Sequence, residues 1–273
     1  MSEPSDGARA MERLLDLMAR LRAPDGCAWD REQTPATLKP QMLEECYEVM
    51  EAIDAGSPGH LTEELGDLLL HIVFQAQIAR EAGQFTFANV AEGIADKLIR
   101  RHPHVFGDAK VADAAGVVAQ WHELKKAEKP ERESALDGVP RALPALMRAE
   151  ALQKKARRVG FDWPDVRGSL DKVREEVAEV TAEIESDLAF AQAGEARFVP
   201  APKTAEEIGD LLFSIVNLTR HLKLDAEELL TGANDKFSRR FRAVEERIKA
   251  QGKTMEDCTL EELDAVWNEV KAG

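Results

Sequence analysis

The segment Glu206-Glu207-Ile208-Gly209-Asp210 runs directly into the apolar stretch Leu211-Leu212-Phe213-Ser214-Ile215-Val216, a pattern that few folds can accommodate. On a helix Glu207 and Asp210, three apart, share a face, and Glu206 and Asp210, four apart, flank it. Burying an unpaired carboxylate is costly, so a cation should meet these groups. A second acidic cluster, Glu175-Glu176-Val177-Ala178-Glu179, lies upstream on another predicted helix. Two helices that each offer a close carboxylate pair can build an all-oxygen cage for Mg²⁺ or Mn²⁺.

Both clusters also occur in the first half, in the same order. Glu44-Glu45-x-x-Glu48 precedes Glu63-Glu64-Leu65-Gly66-Asp67, and the correspondence extends further. Asp96-Lys97-Leu98-Ile99-Arg100-Arg101 matches Asp235-Lys236-Phe237-Ser238-Arg239-Arg240. Trp29 pairs with Trp163 and Trp121 with Trp267, so all 4 tryptophans are accounted for between the halves. Such repeated order marks an internal duplication. Helical periodicity runs throughout and β-branched alternation is sparse, which predicts an all-α fold of two tandem helical bundles. The charged, proline-bearing stretch 127–140 reads as the linker, giving expected domains at 1–128 and 129–273. Residues 1–10 are expected to be a disordered tail and 11–22 the first helix. A later helix should open at Thr62 as its N-cap, with an acidic first turn suited to the helix dipole. A Gly- and Pro-bearing loop is expected over 190–202.

Charge narrows the partners. A net charge of −15 over 273 residues argues against a nucleic-acid backbone or an anionic membrane as the main partner. It also means that a phosphate substrate needs a metal or a local basic patch to approach. The 3 cysteines, Cys27, Cys46 and Cys258, are scattered, and no CxxC occurs, so free thiols in a reducing cytoplasm are expected. No apolar run approaches a membrane span, and the acidic N-terminus does not read as a signal peptide. His71, on the apolar helix, is expected to be a satisfied core histidine.

The halves differ where phosphate chemistry would register it. Lys172 precedes the first carboxylate pair of the second half and Lys203 the second, where the first half has Gln41 and His60. Asn234, beside Lys236, is matched by Ala95. A cage of carboxylates facing a triphosphate needs those cations, so the second half is the better nucleotide site.

Over nearly its whole length the chain resembles the MazG family of nucleoside triphosphate pyrophosphohydrolases. The resemblance rests on the duplicated acidic pairs, on Lys236-Phe237-x-Arg239-Arg240-Phe241, and on Trp267. Trp29-Asp30-Arg31-Glu32-Gln33-Thr34 and Arg101-His102-Pro103-His104-Val105-Phe106-Gly107-Asp108 also match. It implies tandem MazG-type domains, a homodimer, Mg²⁺ dependence, and hydrolysis of NTPs and dNTPs to monophosphates and pyrophosphate. It further implies broad base specificity and a nucleotide-pool or stringent-response role. Carried over by resemblance, the metal ligands are Glu176, Glu179, Glu207 and Asp210. Lys172, Lys203, Lys236, Arg239 and Arg240 would hold the phosphates, and Trp267 would lie against the nucleoside. Glu175 or Glu206 is the candidate general base for water attack on the α-phosphorus. The first half keeps Glu45, Glu48, Glu64 and Asp67 as a secondary site that contributes less. Two other readings remain at this stage. One is a dUTPase-like or phosphoribosyl-ATP pyrophosphohydrolase of the same superfamily, and the other is a helical dimer that senses nucleotide without turnover.

Overall fold

The computed structural model describes residues 5–111, 113, 116, 117, 120, 121, 124, 133–193 and 199–272. The chain divides into two units, Met1–Pro130 and Glu131–Gly273. The expected boundary at 128/129 lies outside the described residues. Every regular element among the described residues is helical.

The first unit contains α1 (Asp6–Leu21), α2 (Ala28–Glu32), α3 (Lys39–Asp54), α4 (Pro58–Glu81), α5 (Phe87–Arg101) and the short α6 (Pro103–Phe106). α3 and α4 form a hairpin through Ala55-Gly56-Ser57, and α1 lies on α4. Gly56 sits at φ +61°, a left-handed conformation that a side chain would strain, so glycine is what makes so short a connection possible. Met18, Leu38, Val73 and Phe74 form the core, packed by Leu14, Leu69 and Phe87. Val73 is fully buried and Phe74 is 3% exposed, so each contributes about 2 kcal/mol of transfer free energy.

The second unit contains α7 (Ala145–Arg158), α8 (Val166–Ala193), α9 (Pro202–His221), α10 (Ala226–Ala250), a 3-10 turn (Met255–Asp257) and α11 (Leu260–Ala272). α9 packs chiefly on α8, α7 lies on α9 and α10, and α11 folds back on α10. Two bonds fix the register of the α8–α9 pair. Asp187 accepts from Thr204 Oγ1 at 2.6 Å and from the Ala201 amide at 3.0 Å, covering the start of α9. A second core, Val244, Ile248 and Val266 with Trp267 and Leu263 against it, joins α10 to α11.

Three local expectations change. The first helix starts at Asp6, not Met11, because the Ser5 hydroxyl accepts from the Ala8 amide at 3.2 Å and caps it. α4 begins at Pro58 under Ser57, whose hydroxyl accepts from the His60 amide. Thr62 is therefore interior and donates to the Pro58 carbonyl at 2.7 Å, and Glu63 and Glu64 lie a turn inside the helix rather than at its positive end. The expected loop at 190–202 is shortened from its front, since α8 continues through Ala193.

Candidate active site

In the second unit the α8–α9 pair brings Glu176, Glu207 and Asp210 together, one carboxylate oxygen of each lying within 4.8 Å of the others. Glu176 is only 3% exposed, and its Oε2 is buried without a hydrogen-bond partner. A carboxylate so placed is expensive unless a cation completes it, and three carboxylates at this spacing suit a hard divalent ion. Glu207 and Asp210 project from one face of α9 because they are three residues apart. Burial first, then the neighbouring Glu179 charge, pushes the Glu207 carboxyl above its ordinary value; Lys203 opposes them, and Glu176 and Asp210 add to the rise. Glu179 thus acts on the cluster electrostatically, although the compact group of three does not include it.

The lysines have definite partners. Lys172 Nζ lies 2.7 Å from Glu176 and 2.8 Å from Glu175, and these bonds raise its pKa. Lys203 reaches across to Glu183 on α8, whose carboxylate likewise raises it. Both therefore flank the carboxylates, Lys172 by direct contact and Lys203 through space. Lys236 and Arg239 are exposed on α10 and Arg240 is half-buried there. Among the described residues no ion pair joins them to Glu176, Glu207 or Asp210. Trp267 packs on Phe237 with ring centroids 5.4 Å apart, and Phe237 stacks on Phe241 at 5.8 Å. Glu206 is exposed on α9, next to Glu207.

The first unit repeats the arrangement with different neighbours. Glu45, Glu48 and Glu64 converge within 4.8 Å, Asp67 standing outside that set. Burial, the Glu48 carboxyl, and the Asp67 and Glu64 charges raise the Glu45 pKa. His60 Nε2 is 2.9 Å from Glu64, occupying the position where the second unit has Lys203. His71 Nε2 stands 3.9 Å from Glu45, while its Nδ1 is buried and unpartnered. His71 is therefore buried but not satisfied, contrary to expectation. Burial lowers its pKa against the pull of Asp67, so the imidazole is held neutral.

A group that the motifs did not flag closes the second unit. Arg220, on α9, forks onto Asp162 through Nη2 and, at 3.0 Å, Nη1, with both side chains largely buried. His221 Nε2 adds a contact of 3.1 Å to the same carboxylate. Burial would raise the Asp162 carboxyl, but Arg220 and His221 outweigh it and hold it low. This clamp fastens the Gly160-Phe161-Asp162-Trp163 turn to α9. Its sequence signal was an arginine and an asparagine, Arg220 and Asn217, in the largely apolar stretch of α9 that follows Asp210.

Comparison with known proteins agrees with this architecture. The family model described as the MazG nucleotide pyrophosphohydrolase domain matches twice, at residues 33–106 and 167–244. Each match spans one carboxylate cluster. The chain is 47% identical to a nucleoside triphosphate pyrophosphohydrolase of Escherichia coli K12 over 96% of this chain and 97% of that one. It is 44% identical to the nucleoside triphosphate pyrophosphohydrolase/pyrophosphatase MazG of Thermotoga maritima, covering 96% of each. With two domain matches and near full-length similarity, the chain belongs to the MazG nucleotide pyrophosphohydrolase family.

Proposed function

We propose that this protein is a divalent-metal-dependent pyrophosphohydrolase that cleaves nucleoside triphosphates to monophosphates and pyrophosphate, and that its second unit does the work. One observation carries the metal reading: Glu176, clustered with Glu207 and Asp210, keeps a buried, unpartnered Oε2, as Glu45 does in the first unit, and among the described residues only the second cluster has lysines beside it. The relatives' names support the reaction.

The residues fit a Mg²⁺ or Mn²⁺ ion, since hard cations take carboxylate oxygens. Glu176, Glu207 and Asp210 would hold it, with Glu179 one turn further along α8. A bound ion neutralises phosphoryl charge and lowers the pKa of water. The chain supplies the rest. Lys172 shares its ammonium between Glu175 and Glu176, so it can move to a phosphate oxygen when a cation takes over Glu176. Lys203 is placed to stabilise charge on the departing pyrophosphate. Glu175 and Glu206 flank the cluster as candidate bases for the attacking water, and Glu206 has the freer carboxylate because Glu175 is engaged by Lys172.

Among the described residues no ion pair joins Lys236, Arg239 or Arg240 to the carboxylate cluster, which suits a site completed by a second copy. Exposed apolar stripes agree with that. Ile208, Leu212 and Ile215 follow one another at helical spacing on α9, as do Leu43, Tyr47 and Met50 on α3, and all are at least 40% exposed. We therefore read the protein as a homodimer acting on NTPs and dNTPs of the nucleotide pool, with broad base tolerance. Among the described residues no helix is long and apolar enough to cross a membrane.

Product analysis with each NTP and Mg²⁺ tests the reading. Wild type should release monophosphate and pyrophosphate. Glu176→Ala should lower kcat by roughly a hundred-fold or more, and Glu45→Ala should retain most activity. Orthophosphate as the product, or full activity in Glu176→Ala, would refute it.

A further inference from the structure

On the face that carries its acids, α4 has a residue type that α9 lacks. His60, Glu64, Asp67 and His71 follow one another at intervals of four, three and four, so they form one stripe along the helix. Aligned on the Gly-Asp pairs, the same stripe on α9 reads Lys203, Glu207, Asp210 and Ser214. The carboxylates are kept, and the groups that flank them change from an ammonium and a hydroxyl to two imidazoles. Eleven residues of helix set the two histidines about 16 Å apart along the axis, so they stand at opposite ends of the cluster.

The two ends are engaged differently. His60 is half exposed, and its Nε2 meets Glu64 at 2.9 Å. His71 has a side chain only 9% exposed and no comparable contact. Its Nδ1 is buried without a partner, and its Nε2 faces Glu45 Oε1 at 3.9 Å, beyond hydrogen-bond length. Glu45 is left open in the same way. Its Oε2 is buried without a partner, and its carboxylate belongs to the compact set with Glu48 and Glu64. A buried imidazole and a buried carboxylate that face each other without a bond are costly until some group satisfies both. A metal ion does so. Two donors on one ion at about 2.1 Å lie at most about 4.2 Å apart, so the separation of 3.9 Å is within reach of a shared ion.

The donors decide which ion. Carboxylate oxygens alone suit Mg²⁺ or Mn²⁺, whereas an imidazole nitrogen among them favours Zn²⁺ and its neighbours in the transition series. We propose that the first unit's cluster is a mixed nitrogen–oxygen site in which His71 Nε2 joins the Glu45, Glu48 and Glu64 carboxylates around a transition-metal ion of the Zn²⁺ class. This stands on the metal reading of the clusters given above and not on the reaction. An ion held by four protein donors has few positions open for phosphate oxygens, so the first unit keeps a resident, structural ion. The second unit, with Ser214 in place of His71, keeps an all-oxygen cluster for the ion that works with the triphosphate. The two halves of one chain thus differ in metal as well as in lysines.

The test uses the full-length protein, stripped of metal with a chelator and kept reduced. Zn²⁺ and Mg²⁺ are titrated by calorimetry into wild type, His71→Gln and Glu176→Ala. The imidazole nitrogens of wild type are followed by NMR with and without Zn²⁺, His71 being identified by its absence from the spectrum of His71→Gln. A Zn²⁺ site should persist in Glu176→Ala and weaken roughly ten-fold or more in His71→Gln, while Mg²⁺ affinity stays the same in wild type and His71→Gln. The His71 Nε2 resonance should move when Zn²⁺ is added. Hydrogen exchange of α3 and α4 peptides should slow with Zn²⁺ in wild type and not in His71→Gln. Equal Zn²⁺ affinity in wild type and His71→Gln would overturn the proposal. So would a thiolate charge-transfer band when Co²⁺ replaces Zn²⁺, which would assign the ion to a cysteine such as Cys46. If circular dichroism shows His71→Gln unfolded, the wild-type nitrogen spectrum decides, and a His71 Nε2 that Zn²⁺ leaves unmoved rejects the site. Failure of the metal reading for the second unit is distinct: Mg²⁺ binding indifferent to Glu176→Ala would sink that cage and leave the His71 result as measured.

Discussion

Asp162→Asn is the substitution whose consequence can be worked out most fully. Arg220 has a side chain only 4% exposed and Asp162 one 14% exposed, so water screens their pairing little. Asparagine keeps the shape but removes the charge and presents an NH₂ to one guanidinium nitrogen. A buried pair broken on one side costs about 3–5 kcal/mol, because the remaining charge is left uncompensated. Arg220 retains the Asn217 oxygen at 2.6 and 3.1 Å, so the lower end, about 3 kcal/mol, is expected. With a urea m-value of about 1–3 kcal/mol/M for a unit of this size, the midpoint should fall by roughly 1–3 M. Hydrogen exchange along a urea series can follow α9 and α4 peptides separately, and only the second unit should shift. The pH dependence is also set. Asp162 has a lowered folded pKa, so its contribution is complete above the ordinary aspartate value near 3.8 and is lost as pH falls through the folded value. The difference between wild type and variant should accordingly vanish in strong acid. A shift below about 0.5 kcal/mol near neutrality, or an equal shift in both units, would refute the argument.

Two further outcomes follow from single contacts. Lys172→Met removes the ammonium that competes with a metal for Glu176, so Mn²⁺ affinity without nucleotide should rise while the KM for NTP rises roughly ten-fold. Calorimetry with Mn²⁺ that finds equal or weaker binding would contradict that competition. Asp225→Ala removes the acceptor for the Glu227 and Glu228 amides, at 2.9 and 3.1 Å, that caps α10. About 1 kcal/mol of stability should go with it, visible as a lower midpoint in thermal denaturation.

Much of the architecture was legible because the duplication states it twice. Carboxylates three or four apart on an amphipathic helix must share a face, so the convergence of Glu176 with Glu207 and Asp210 followed once the two helices were paired. Helix ends were less legible. Ser5 and Ser57 cap α1 and α4, but serine is common in turns, and only hydrogen-bond geometry shows which one starts a helix. Spacing put Lys172 and Lys203 one turn ahead of the acids, whereas their ion-pair partners, among them Glu176 and Glu183, depend on rotamers that spacing does not specify.

By itself, the sequence determined an all-α chain of two related halves, each with an acidic helix pair, because side-chain period and motif order are properties of the linear chain. Tertiary structure alone decided that one oxygen each of Glu45 and Glu176 is buried without a partner and that Arg220 meets Asp162. It also decided that an open slot of about 500 Å³ lies beside Phe213 and Asn217 in the second unit. Burial and cavity shape depend on side chains far apart in sequence, and no local pattern encodes the distance between α7 and α9 that leaves Gln153 facing an empty slot.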